Sequence, residues 1–321
     1  MLLRHPADKR TLLWTLIFTP GVALLHYLRP EWAWQLFPFS MYFAVSCAVI
    51  AHNHMHCPVM KNKRANQLFS HWISIFYGYP VFAWTPTHNL NHHRYVNKHG
   101  DATITWRITK KHNVLVAASY FFVSSYYQGF WIKDFIQQAK KKSPALYRRI
   151  LLQYVVTYSA HLALVGISVQ LFGVADGLKI YALTFGIPAF FALWTVMLFN
   201  YIQHVHTDPW SKRNHSRNFT GKLLNILLFG NGYHTVHHDQ ANLHWADAAG
   251  VHQKIHHEID SRLCHKSMWW FFFRQYALTP FVSKLGTVQV GRAPYDCPRE
   301  QRVADRPETH DIGAVTAGGQ I

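Results

Sequence analysis

Cysteine is scarce in this chain, with four residues in 321 (Cys47, Cys57, Cys264 and Cys297) and no CxxC spacing among them. That pattern excludes a disulfide framework, a zinc ribbon and a fused rubredoxin-like iron site. Acidic residues are also few, 15 Asp and Glu against 32 Lys and Arg, for a formal charge of +17. None lies inside the histidine-rich stretches "HNHMH" and "HNLNHH", so the Glu and Glu-x-x-His ligand sets of soluble di-iron bundles are missing there. No small-x-small cleavage site follows the apolar N-terminal stretch, which is expected to be an uncleaved first span rather than a signal peptide.

Hydrophobic residues make up 50% and aromatic residues 16% of the chain, yet the mean hydropathy is only −0.06. An average over apolar spans and a polar, histidine-rich remainder gives that value. Four apolar segments, roughly 12–28, 32–51, 150–172 and 179–200, approach the length a helix needs to cross a bilayer. The links within each pair are short, "RPE" and "GVADGL", so each pair is expected to form a helical hairpin. Arg4, Lys9 and Arg10 precede the first segment, and Lys140, Lys141, Lys142, Arg148 and Arg149 precede the third. Under the positive-inside rule both segments start in the cytoplasm, and the second and fourth return to it. The basic excess is thus assigned to loops facing an anionic leaflet, and nucleic acid is not expected as a partner.

Two further apolar stretches, 68–84 and 114–132, are interrupted by polar residues, Gly and Pro and are rich in Tyr and Phe. They suit interfacial or partly re-entrant helices, although six spans stay open at this level. The expected fold is all-α and integral to the membrane, with four transmembrane helices in two hairpins, interfacial helices and a cytoplasmic histidine-rich cap. Residues 1–290 form the membrane domain, and 291–321, polar and rich in Pro and Gly, form a mobile tail.

Histidine is abundant, 24 residues, and clusters in four places. These are His52, His54 and His56; His88, His92 and His93; His204 and His206; and His234, His237 and His238. On a helix, residues three and four apart share a face, so His52 with His56, His88 with His92, and His234 with His237 and His238 can each converge. Neutral imidazole is the commonest metal ligand and suits iron, zinc, copper and nickel alike. The clusters hold more imidazoles than one ion takes, which implies at least two ions. Asp101, Asp208 and Asp239 lie near enough in sequence to orient ligand rings through their second nitrogen, or to be solvated loop carboxylates.

This pattern resembles the integral-membrane fatty acid desaturase and hydroxylase superfamily. "HNHMH" matches its first histidine box, "HNLNHH" its middle box in an HxxxHH spacing, and "HTVHH" its last. "NYIQH" resembles the Asn-x-x-x-His of the acyl desaturases, in which the histidine binds iron and the asparagine holds a metal-bound water. By this resemblance the metal ligands are His52, His56, His88, His92, His93, His204, His234, His237 and His238, with Asn200 on the water. His54 and His206 compete with His52 or His56 and with His204.

The resemblance implies two iron ions, dioxygen as co-substrate and two electrons from an external donor. It also implies a desaturated acyl product, with a hydroxylated chain or a terminal alkene formed by decarboxylation as alternatives. The substrate is an acyl lipid, acyl-CoA or acyl-carrier protein, and Trp84, Tyr95, Trp106 and Trp194 are candidates to line its tunnel. Arg94, Lys98 and Arg107 suit an anionic headgroup or carboxylate, or are simply solvated. With no heme or iron–sulfur segment expected in the chain, the donor is a separate ferredoxin, rubredoxin or cytochrome-type protein. The expected setting is a bacterial inner membrane, with membrane lipid as a further partner. A histidine-rich metal transporter or storage protein and a zinc-dependent membrane hydrolase are the rivals. A transporter is disfavoured because its ligands belong along a pathway inside the membrane.

Overall fold

Proline ends the first long helix. The residue before a proline is pushed out of the helical region, and Arg29, ahead of Pro30, has φ −137° and ψ 65°. In this computed structural model, which describes residues 2–298 and 302, the apolar helix Asp8–Leu28 stops there and the helix Pro30–His56 follows. The two run antiparallel. Trp14 Nε1 donates to the Tyr42 hydroxyl at 3.0 Å, and His26 Nε2 lies 2.9 Å from Ser40 Oγ, so partners converge towards the turn.

The third apolar stretch, Pro144–His204, is 61 residues long and helical at nearly every position. It is not one rod. Gly173 has φ 77° and ψ 172°, a conformation open essentially to glycine alone. Beyond it the chain doubles back: His161 Nδ1 and the Tyr181 hydroxyl are 3.0 Å apart, although twenty residues of straight helix would separate them by about 30 Å. The reversal is tight enough that a Cβ on Gly177 would sit 2.5 Å from the carbonyl oxygen of Ser168.

The expectation of a membrane-type helical protein therefore holds in its coarse form. The described chain is mostly helical, and three of its helical stretches are long and apolar enough to cross a membrane. The only named strands among the described residues are a minimal parallel pair, Asn218–Phe219 with Cys264–His265. Stretch 68–84 runs from helix Lys63–Tyr77 through a left-handed turn at Gly78 to the short 3-10 turn Val81–Ala83, and 114–132 lies in helix Val114–Lys142; neither helix is among those both long and apolar enough to cross a membrane. The expected tail lies outside the described residues from 299 onward, Arg302 excepted; before that point Ala293 and Cys297 are buried.

The chain divides into two compact units. The first comprises the described residues of 1–84 with 135–196, and holds the first hairpin, the second as far as Val196, and helix Lys63–Tyr77. Inside it Trp72 Nε1 donates to Thr15 O, the Tyr27 hydroxyl meets Ser168 Oγ at 2.7 Å, and Gln153 Oε1 accepts from the Phe82 N–H. Such bonds satisfy polar groups that apolar packing would otherwise strand. The second unit comprises Thr85–Asp134 and the described residues of 197–310. It holds three of the four histidine clusters.

Candidate metal centre

In the first unit, His52 and His56 occupy the last turns of helix Ala33–His56, their rings 5.1 Å apart on one face, as a separation of four dictates. His52 also meets the Trp84 ring edge-on at 5.1 Å. His54 points elsewhere: its Nε2 is 3.2 Å from Ser70 Oγ, its Nδ1 accepts from the Val59 N–H, and its ring packs on Phe69. Two residues of helix rotate a side chain to roughly the opposite face, which separates His54 from its neighbours.

The middle cluster is α-helical only at His93, which opens the single turn His93–Tyr95. Thr85–His92 forms a π-helix, whose bonds run from i to i+5. This wider turn solves the spacing: His93 stands five after His88, which in an α-helix is well off its face, yet the two Nε2 atoms are 3.1 Å apart. His237 joins them, its Nε2 3.2 Å from that of His88 and 3.0 Å from that of His93.

His92 turns to a second group. Its Nε2 is 3.1 Å from that of His204, which is 2.9 Å from His234 Nε2; His238 Nε2 lies 3.2 Å from both His204 and His234. These four rings form a set able to hold one metal ion. His204 ends helix Ile187–His204, and the others come from the π-helix and the short helix His234–Asp239. Asn218, on its strand, fixes that short helix by accepting from the Thr235 N–H and donating to Thr235 Oγ1.

The chemistry of the donor set fits a metal. His204 Nδ1 faces the carbonyl oxygen of His215 at 3.1 Å, and His92 Nδ1 faces the Asp101 carboxylate at 2.8 Å. A carbonyl and an ionised carboxylate only accept, so both Nδ1 atoms carry protons and, in neutral rings, both Nε2 atoms present lone pairs. Two lone pairs 3.1 Å apart repel unless a cation sits between them. Ligands at about 2.1 Å from an ion and at right angles stand about 3.0 Å apart, close to the spacings found. Burial and the neighbouring imidazoles of His93, His234 and His204 hold the His238 ring well below the ordinary histidine range, and hence neutral. Four imidazoles favour a transition metal over calcium or magnesium.

The three candidate carboxylates differ. Asp101 is fully buried and holds His92, while its Oδ1 accepts from the backbone and hydroxyl of Thr103. Asp239 sits one step back: its carboxylate pairs with Arg213 and lies 3.3 Å from His215 Nε2, and the His215 ring is 5.4 Å from that of His238. Asp208 touches none of the four rings and accepts from the Trp210 N–H. His206 also turns away, its Nε2 donating to Lys110 O and its Nδ1 facing Thr287. Its φ of 59°, just past the helix end, takes it off the path of His204.

Asn200 is buried and donates from Nδ2 to the Tyr120 hydroxyl, which donates to the Thr103 carbonyl. Tyr120 and Thr103 thereby link Asn200 to Asp101 and His92. Sequence reasoning passed over both, along with the His215 carbonyl, because single hydroxyl residues and a backbone oxygen carry no pattern.

Membrane-length apolar helices together with imidazoles gathered at helix ends define a helical membrane-type protein with histidine groups that could hold a metal ion. The family model described as fatty acid desaturase matches residues 11–285, most of the chain, and the chain belongs to that family, within the membrane fatty acid desaturase and hydroxylase superfamily. No curated protein and no solved structure matches it.

Proposed function

We propose that this protein is a membrane-bound di-iron enzyme that desaturates a fatty acyl chain. The observation that carries the reading is the convergence of His92, His204, His234 and His238 through Nε2, with His88, His93 and His237 as a second convergent set in the same unit. In this reading the first set holds one iron, the second set helps to hold another, and His52 and His56 are further ligands by the resemblance of "HNHMH" to the family's first histidine box. Two bound irons would supply dioxygen activation and removal of a hydrogen atom from an unactivated methylene, given two electrons from a separate donor.

The chain's own residues do the positioning. Asp101 and the His215 carbonyl fix the tautomers of His92 and His204, keeping both Nε2 atoms unprotonated. Tyr120 orients the Asn200 amide, leaving its Oδ1 as the atom to retain a water beside the first set. We read two spans from each hairpin, four in all; the reversal at Gly173, which folds the 61-residue stretch into two arms, supports this reading. The basic flanks support a cytoplasmic side for the histidines. Desaturation is preferred to hydroxylation or decarboxylation because Asn200 and His204 match the acyl-desaturase pattern.

The test is expression of the unmodified protein and His237→Ala in a bacterial host supplied with ferredoxin and its reductase. Lipids and headspace are then analysed by gas chromatography with mass spectrometry, and metal by mass spectrometry. An unsaturated acyl chain made only by the unmodified protein, which carries two irons, is the expected result. A hydroxylated chain or a terminal alkene would keep the site and replace the reaction. Zinc as the sole metal would sink the reading.

A further inference from the structure

We infer that electrons reach the His92 site through Trp106, and that the surface around Trp106 receives a small acidic redox protein. This rests on the proposed function, since it names where that enzyme's electrons enter.

A chain of hydrogen bonds leads from the surface to the site. Trp106, half-buried, donates from its indole Nε1 to the Asn97 carbonyl at 2.9 Å. The Asn97 N–H donates to Asp101 Oδ2 at 2.6 Å, and the same oxygen accepts from His92 Nδ1 at 2.8 Å. A branch runs from Asn97 Nδ2 to the His204 carbonyl at 2.9 Å. One residue, Asn97, therefore connects the indole to two histidines of the metal set. Its backbone is bent to do so: Val96 has φ 43° and Asn97 φ 62°, a left-handed pair in which the β-branched valine is strained. The strain is held where the peptide must offer its carbonyl to Trp106 and its N–H to Asp101.

The outer end of the chain is built of rings and cations. Trp106 packs against His99 at 5.0 Å and Tyr295 at 5.8 Å. The Lys110 ammonium lies over Tyr295 at 3.8 Å, and Arg292 and Lys98 over Trp210 at 4.2 and 5.1 Å. Lys110 and Arg292 are exposed. Fixed cations around aromatic rings suit an acidic protein partner, which they steer and orient. A lipid headgroup would meet the same charges but would have no use for the bonds from Trp106 to His92. In the step itself a reduced donor would lose one electron and a metal held by His92 would gain it, with no bond or proton exchanged. The reaction draws on two such transfers.

The experiment uses full-length, iron-loaded protein in detergent and a plant-type [2Fe–2S] ferredoxin reduced under argon. Ferredoxin affinity is measured across a salt series, and ferredoxin oxidation is followed by anaerobic stopped flow. The double variant Lys110→Glu, Arg292→Glu is expected to raise the Kd about tenfold or more at low salt and to flatten the salt dependence, with iron content unchanged. Trp106→Phe keeps the ring but not the N–H. It is expected to retain the Kd and iron content and to lose the fast phase of oxidation at saturating ferredoxin. An unchanged Kd in the first, an unchanged rate in the second, or loss of iron from Trp106→Phe would overturn the inference. So would a charge variant that binds ferredoxin normally but is no longer retained on phosphatidylglycerol vesicles. Unmodified protein that never oxidises ferredoxin would take the functional reading down as well, whereas oxidation matched by the variants would remove only this inference.

Discussion

Asp101 shows how one residue sets the state of a candidate metal ligand. Burial, the largest influence on it, pushes its carboxyl upward, but electrostatic attraction to the Nδ1–H edge of His92 and hydrogen bonds from His92 and Thr103 together outweigh burial and hold it below the usual carboxylate range. It is therefore ionised, accepts the His92 Nδ1 proton, and leaves Nε2 free of one. Asp101→Asn would keep the shape but can present an N–H to Nδ1, which drives the proton to Nε2. A fall in metal affinity of about 10–100-fold is expected, measured as iron retained against a competing chelator. His54→Ala is the contrast. His54 bonds to Ser70 and the Val59 N–H, so its loss should cost about 1–3 kcal/mol of stability in a thermal melt and leave metal affinity unchanged. Equal metal loss in both variants would remove the distinction between a ligand-orienting residue and a packed one.

At the scale of elements, the hairpin of the long apolar stretch depends on Gly173. Its φ of 77° makes any side chain there strained, so Gly173→Ala should destabilise by about 1–3 kcal/mol. Gly166 lies in the same helical stretch with nothing within 4 Å of an added Cβ, and Gly166→Ala should be neutral or stabilising by up to about 1 kcal/mol. Paired melts of the two variants check this, and equal effects would mean that Gly173 does not govern the turn. The parallel strand pair carries a pH dependence. Burial and the nearby Arg217 and Arg274 lower the His265 ring to about 3. A histidine lowered from its unfolded value near 6.5 contributes stability that is complete above that value and is lost as pH falls towards about 3. Between pH 6 and pH 4 the stability should therefore fall by at most about 1.4 kcal/mol per pH unit from this group, and the melting temperature with it. His265→Phe should shallow the slope; an identical slope would exclude His265 as its source.

For the whole molecule, the proposed four-span arrangement would fix which loops meet which compartment. Glu31 and Asp176, both exposed, belong to the two hairpin turns, and Lys212 is exposed in the unit that carries the histidines. Cysteines introduced singly at these positions should label with a membrane-impermeant maleimide in intact cells at 31 and 176, and at 212 only after lysis. Native cysteines are controlled for by the unmodified chain. Labelling at 212 in intact cells would place the histidines on the other face and overturn the orientation derived from the basic flanks. The excess of Lys and Arg, +17 overall, would then need another explanation.

The sequence by itself determined the apolar segments, the short links that fold them, the histidine boxes and the family, because these depend on local composition and on spacing along the chain. Pro30 and Gly173 could be read as turns since each restricts or frees its own backbone. What only the tertiary structure decided was which side chain of each cluster faces which neighbour. "HNLNHH" does not state that Thr85–His92 winds as a π-helix, yet that winding brings His88 and His93 together while His92 turns to His204. Nor does it state that, of three nearby aspartates, Asp101 bonds to a ring of the metal set while Asp239 stands one histidine away and Asp208 caps a loop. Helix period and loop path are settled by packing between distant segments, and a difference of one residue or one turn redirects a side chain by more than the width of a metal site.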